Sequence, residues 1–197
     1  MDQSPGLVIF DMDGTITRPF LDFARIRAEI GLGEPLLESM LALPPGPGRD
    51  RAFAILERFE SEAAEASQLN DDAAEILSFL AARGVPAALV TRNSRLSARR
   101  VIEKHELRFE IVVTREDAPA KPRPEPLWLI CERAGVPPSR ALMVGDFRLD
   151  VVAGRAAGTR TALLTDGREA RFLPEAPPDL VLCRLGEIRA LFPTPAG

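Results

Sequence analysis

The sequence predicts an α/β protein: a parallel sheet layered between helices, interrupted after its first strand by an all-helical insertion. Three observations predict it. From Asn70 onward, short apolar runs alternate with stretches of helical periodicity, the pattern of a parallel sheet covered on both faces. Between Arg18 and Leu69 there is no convincing strand, only helical spacing and breakers. Finally, acids recur where apolar runs end, at Asp11, Asp13, Asp146 and Asp150.

The first apolar run, "LVIF", leads directly into "DMDGT" and reads as a buried strand. The insertion follows. "FLDFARIRAEIGLG" and "PLLESMLAL" read as short helices and "PPGPGR" as a breaker. "DRAFAILERFESEAAEASQL" reads as a longer amphipathic helix, apolar at Ala52, Ile55, Leu56, Phe59, Ala63 and Ala66. In "NDDAAEILSFLAARG", Asn70 is the expected N-cap, and Ala73, Ile76, Leu77 and Leu80 share one face. "VPAALVT" is a strand ending at Thr91. "SRLSARRVIEKHEL" is a helix with Ala98, Val101, Ile102 and His105 on its apolar side. "FEIVVT" is a strand. "PEPLWLICERAG" is a helix with a proline in its first turn and Leu127, Ile130, Cys131 and Ala134 inward. "ALMVGD", "TALLT" and "LVLC" are strands, "DVVAGRAAG" is a short helix, and "LGEIRALF" closes the chain as a helix.

These elements divide 197 residues into a core, 1–17 and 70–197, and a helical cap, 18–69. An insertion at that point lies beside the carboxyl ends of the strands, where open α/β sheets bind ligands. The 46% apolar content suffices for a sizeable core. A net charge of −4 argues against a protein that coats nucleic acid or an anionic membrane. Cys131 and Cys183 form neither a metal-ligand spacing nor a disulfide framework, as suits a reducing cytoplasm. "MDQSPG" is not a signal peptide, and no apolar run is long enough to span a bilayer.

In a parallel sheet, every strand end named above points to one edge. Asp11, Asp13, Asp146 and Asp150 therefore converge with the hydroxyl of Thr91 and with Lys121 of "KPRPEP". Carboxylates gathered out of water raise one another's pKa values unless a cation compensates them. Mg²⁺ fits, because it takes oxygen ligands, keeps waters and binds through one or two carboxylates plus a substrate phosphate.

Four motifs in this order resemble the haloacid dehalogenase (HAD) superfamily, and within it the phosphoglycolate phosphatase-like group. They are DxDGT at Asp11 to Thr15, the apolar strand ending in Thr91, the lysine before a helix at Lys121, and GDxxxD at Gly145 to Asp150. The resemblance covers nearly the whole chain. It implies a three-layer, Rossmann-like core with a small helical cap, and an Mg²⁺-dependent phosphatase acting on a small phosphomonoester metabolite. It implies that Asp11 is the nucleophile that forms an aspartyl-phosphate, and that Asp13 is the general acid and then the base, its backbone carbonyl also on the metal. Thr91, Arg92, Asn93 and Lys121 would bind phosphate. Asp11 and Asp146 would ligate Mg²⁺ directly, and Asp150 would stand behind these ligands or bind the metal through water.

Simpler roles compete at some positions. Asp150 is placed to cap "DVVAGRAAG", while His105 and Cys131 read as packing residues. Arg18, Arg25, Arg49 and Arg51 are candidate anchors for a second anionic group. A dehalogenase of the same fold lacks the acid at the second motif-one position, whereas Asp13 is present. A receiver-like phospho-acceptor lacks the helical insertion. A sugar phosphomutase shares every motif and stands as the alternative.

Overall fold

The computed structural model describes residues 4–167 and 176–193. The expected core also takes in residues 1–3, 168–175 and 194–197, which lie outside the described residues. Six strands form one parallel sheet: β1 (Leu7–Phe10), β2 (Ala87–Val90), β3 (Ile111–Val113), β4 (Ala141–Gly145), β5 (Arg160–Leu164) and β6 (Leu180–Leu182). Their order is β3-β2-β1-β4-β5-β6. All four residues of β1 are completely buried, which is why this strand reads as a continuous apolar run and not as an alternating one. Val8 and Phe10 face one layer, which holds α4 (Ala73–Ala82), α5 (Arg95–Lys104) and a 3-10 helix, Leu185–Leu191. Leu7 and Ile9 face the other, built on α6 (Glu125–Ala134) and α7 (Arg148–Ala157). No helix among the described residues is long and apolar enough to cross a membrane.

Between β1 and β2 the chain forms α1 (Phe23–Ile30), α2 (Leu36–Ala42) and α3 (Pro47–Ala66). They share an apolar cluster of their own, including Ile26, Leu37, Met40, Leu56 and Phe59. The last turns of α3 leave that cluster for the main core, where Ala64 packs with the α4–α5 layer. Lys104 at the end of α5 donates to the carbonyls of Glu65 at 2.5 Å and Ser67 at 2.7 Å.

Four local expectations change. The breaker "PPGPGR" stops at Gly46, because Pro47 occupies the first position of α3, where its missing N–H costs nothing. Asn70 does not cap α4. Its side chain is drawn to the loop after β1, donating to the Gly14 carbonyl at 3.3 Å, and the helix begins at Ala73 behind Asp72. The helix around "DVVAGRAAG" starts two residues earlier, at Arg148, so Asp150 lies in its first turn and not at the cap. The closing helix is 3-10, with Leu185 and Ile188 turned inward.

Candidate active site

The register of the central strands sets the site. Phe10 pairs with Leu89 on one side and with Val144 on the other. Asp11, Thr91 and Asp146 therefore leave the sheet at one edge. That edge lies where the strand order reverses between β1 and β4, the usual ligand crevice of an open α/β sheet.

Asp11, Asp146 and Asp150 each present an oxygen there, all within 4.8 Å of one another. Two glycines permit this crowding. A Cβ on Gly14 would lie 2.1 Å from Asp146 Oδ2, and Gly14 also has a φ of +87°. A Cβ on Gly145 would lie 2.3 Å from the Asp150 carboxylate. Lys121, only 1% exposed, lies among the acids. Its Nζ donates to Asp11 Oδ1 at 2.5 Å and to Asp150 Oδ1 at 2.6 Å. The second oxygen of Asp150 accepts the Phe147 N–H at 3.0 Å, so this carboxylate both pairs with Lys121 and caps the start of α7 from inside the helix.

Asp13 stands outside the group of three. Its Oδ2 accepts from Asn93 Nδ2 at 2.8 Å, and the Asn93 N–H in turn donates to Thr91 Oγ1 at 3.1 Å. Arg92, between them, sends its guanidinium to both oxygens of Glu38 on α2 at 3.0 and 3.1 Å, and also to the Lys121 carbonyl. Its side chain thus joins the insertion to the turn after β2. A cleft of about 620 Å³ opens on this flank between α2, α3 and residues 115–120, with Leu37, Leu41 and Phe53 in its wall. The acid cluster is not part of its lining.

Electrostatics follow from burial. Removal from water raises the Asp11 pKa well above the ordinary carboxylate range, although Lys121 opposes the shift. Burial, with Asp150 second, pushes Asp146 to about 7. Burial, with Glu60 second, pushes Asp13 to about 6. For Lys121, burial pulls downward, but Asp11 and Asp150 outweigh it and leave the ammonium more firmly charged than usual. This site holds more negative charge than it can satisfy from within.

The sequence-predicted residues Asp11, Asp13, Thr91, Asn93, Lys121, Asp146 and Asp150 come together through these contacts. Three of the four candidate anchors make other contacts. Arg18 pairs with Asp71 at 2.7 Å at the surface, and Arg25 and Arg49 lie over the rings of Phe59 and Phe53. Arg51 is exposed. His105 Nε2 meets Ser67 Oγ at 2.9 Å, and Cys131 is core. Glu60 escaped the sequence reading, yet it is buried in α3 and bonded to Arg115 and Ser94. One signal was available: an acid within the apolar stripe of Leu56, Phe59 and Ala63. Glu38 and Arg115 carry no comparable signal.

Known proteins resemble this chain in sequence and in fold. The haloacid dehalogenase-like hydrolase family matches residues 5–158. A haloacid dehalogenase-like hydrolase domain-containing protein of Arabidopsis thaliana is 31% identical over 95% of this chain and 83% of its own length. Phosphoglycolate phosphatase 1 of Pseudomonas aeruginosa is 29% identical over 93% of this chain and 78% of its own. The crystal structure of a haloacid dehalogenase-like hydrolase from Bacteroides fragilis superposes with a TM-score of 0.74 at 22% identity, covering 93% of this chain and 99% of that one.

Proposed function

Since this chain belongs to the haloacid dehalogenase-like hydrolases and is one of their phosphatases, we propose that it is Mg²⁺-dependent and hydrolyses a small phosphomonoester through an aspartyl-phosphate. The observation that carries this reading is the convergence of Asp11, Asp146 and Asp150 at one sheet edge, with a single buried lysine paired to Asp11 and Asp150. The donor set suits the metal: all oxygen, crowded beyond what one ammonium neutralises, and admitted by glycines at positions 14 and 145. We assign Asp11, Asp146 and the Asp13 carbonyl to Mg²⁺, and Asp150 to a place behind it, where its carboxylate bonds Lys121 and the Phe147 N–H. When bound, Mg²⁺ would neutralise phosphate charge and orient the phosphoryl group.

The residues of the chain supply the rest. Lys121 holds one oxygen of Asp11, and the other is the nucleophile. It attacks phosphorus, the phosphorus–oxygen bond to the leaving group breaks, and Asp13 protonates the departing oxygen. Burial, which pushes this carboxyl up to about 6, keeps more of it protonated near neutrality than an ordinary carboxylate would be. Asp13 then takes a proton from water, which attacks the phosphorus of the aspartyl-phosphate and frees Asp11. Thr91, Lys121 and the turn at Arg92 and Asn93 would bind the phosphate oxygens, as phosphoryl transfer depends on positioning and charge. We take residues 18–69 as the cap that limits substrate size, with α1 and α2 its closing part.

The test is hydrolysis of a panel containing 2-phosphoglycolate, sugar phosphates and p-nitrophenyl phosphate, with Mg²⁺ or with EDTA. Phosphate release that requires Mg²⁺ and prefers one small metabolite is expected. Equal rates in excess chelator would overturn the metal assignment. Turnover of a sugar phosphate only with a bisphosphate activator would make the chain a mutase.

A further inference from the structure

Glu60 is an acid from the insertion buried against the machinery of the core. It is 1% exposed, on α3. One carboxylate oxygen accepts the Ser94 N–H at 3.1 Å, and the other pairs with Arg115, whose side chain is 9% exposed. Arg115 also donates to the Arg92 carbonyl at 3.2 Å. The turn after β2 is thus gripped from outside at Arg92 O and Ser94 N. Asn93, the residue between these two grips, is the one that holds Asp13. The backbone of Glu60 adds a third tie, accepting from Ser97 Oγ at 3.2 Å.

We propose that Glu60 is a positioning residue: through Ser94 and Arg115 it fixes the turn that presents Asn93 to Asp13. A buried ion pair is a poor source of net stability, because desolvation of two charges offsets their attraction. Its value here is directional, since the charge pair and the Ser94 bond define where the turn sits. Two apolar residues of the same volume would fill the space but leave Ser94 N–H without this acceptor. The insertion therefore divides by role. α3 is a fixed part of the active-site frame, whereas α2 reaches the same turn only through the more exposed Glu38–Arg92 pair.

The kinetic arm of the test rests on the phosphatase reading, whereas a spectroscopic arm does not. E60A alone would strand the Arg115 cation and invite unfolding, so the decisive variant is E60A/R115M, which removes both charges. It should fold with a cooperative melt. Its kcat on an alkyl phosphomonoester should fall about 10–100-fold, the usual cost of a misplaced group in a site. The loss on p-nitrophenyl phosphate should be smaller, because that leaving group needs little help from Asp13. E60Q/R115M, which keeps an oxygen for Ser94 N–H, should recover much of the alkyl rate. In ¹⁵N-labelled protein, the Asn93 side-chain amide signals should shift in E60A/R115M and return towards the wild-type position in E60Q/R115M. A folded E60A/R115M with unmoved Asn93 signals, or with alkyl kcat within about two-fold of wild type, would overturn the proposal. If the wild-type protein hydrolyses no phosphomonoester, the phosphatase reading fails by itself, and the Asn93 signals still decide the role of Glu60.

Discussion

Lys121 Nζ lies 2.5 Å from Asp11 Oδ1, in a site where both residues are almost wholly buried. The same ammonium reaches Asp150 at 2.6 Å. One cation thus serves two carboxylates, and the aspartate assigned as the nucleophile is held by one oxygen only. The first prediction follows. Lys121→Met leaves Asp11 and Asp150 without their cation and should destabilise the protein by about 3–5 kcal/mol, as breaking a buried pair does. Urea denaturation reads this. Lys121→Arg should not restore wild-type stability, because a planar fork does not fit the space of a compact ammonium.

The two aspartates of motif one should fail differently. Asp11→Asn removes the attacking carboxylate, so no phosphoenzyme should form and the rate should fall by several orders of magnitude. Asp13→Asn removes proton transfer, worth about 10²–10⁴-fold, and should spare aryl phosphates relative to alkyl ones. Rapid quench with a radiolabelled aryl phosphate distinguishes them. Label on Asp11→Asn, or equal losses on both substrate types for Asp13→Asn, would sink this division of labour.

Stability should depend on pH in a direction set by the buried acids. Burial raises Asp13 from 3.8 to about 6 and Asp146 from 3.8 to about 7. The folded chain thus holds these protons more tightly than the unfolded chain. The contribution of these groups is most favourable below about pH 4 and is lost as pH rises towards 7. In EDTA the melting temperature should fall across that window, by about 2–4 °C for each kcal/mol lost. Mg²⁺ should reverse the fall, and should raise the melting temperature more at the upper end of the window than at the lower end. A flat profile in EDTA would contradict the raised values.

Gly145→Ala tests the crowding directly. Its Cβ would meet the Asp150 carboxylate at 2.3 Å, without any penalty from a positive φ. Displacing Asp150 breaks its bond to Lys121, so both activity and melting temperature should drop, with a loss of about 1–3 kcal/mol typical of overpacking. Gly33→Ala, where a Cβ meets nothing within 4 Å, is the control. It should leave kcat and the melting temperature close to wild type. Equal behaviour of the two variants would argue against close packing at the site.

By itself, the sequence determined the layers and most of the site. Periodicity placed the strands and helices because buried runs and helical stripes are local properties of the chain. The acids at strand ends were legible because a parallel sheet sends all those ends to one edge. Lys121 was legible as the cation they need. Tertiary structure decided what depends on meetings between distant segments. Asn70 reads as a cap, but it binds the Gly14 carbonyl because α4 starts beside the loop after β1. Asp150 reads as a cap of its own helix, and from inside the first turn it does accept the Phe147 N–H, but it also pairs with Lys121, a residue from another loop. Arg92 reads as a phosphate ligand, yet its guanidinium is held by Glu38 once α2 is in place. Glu60 reads as one acid on a long helix, and only the packing of α3 on α5 buries it against Ser94 and Arg115. A side chain's type and local period are written in the sequence. The partner that satisfies its charge in a buried place is chosen by the fold, because desolvation makes that partner obligatory only after the segments have met.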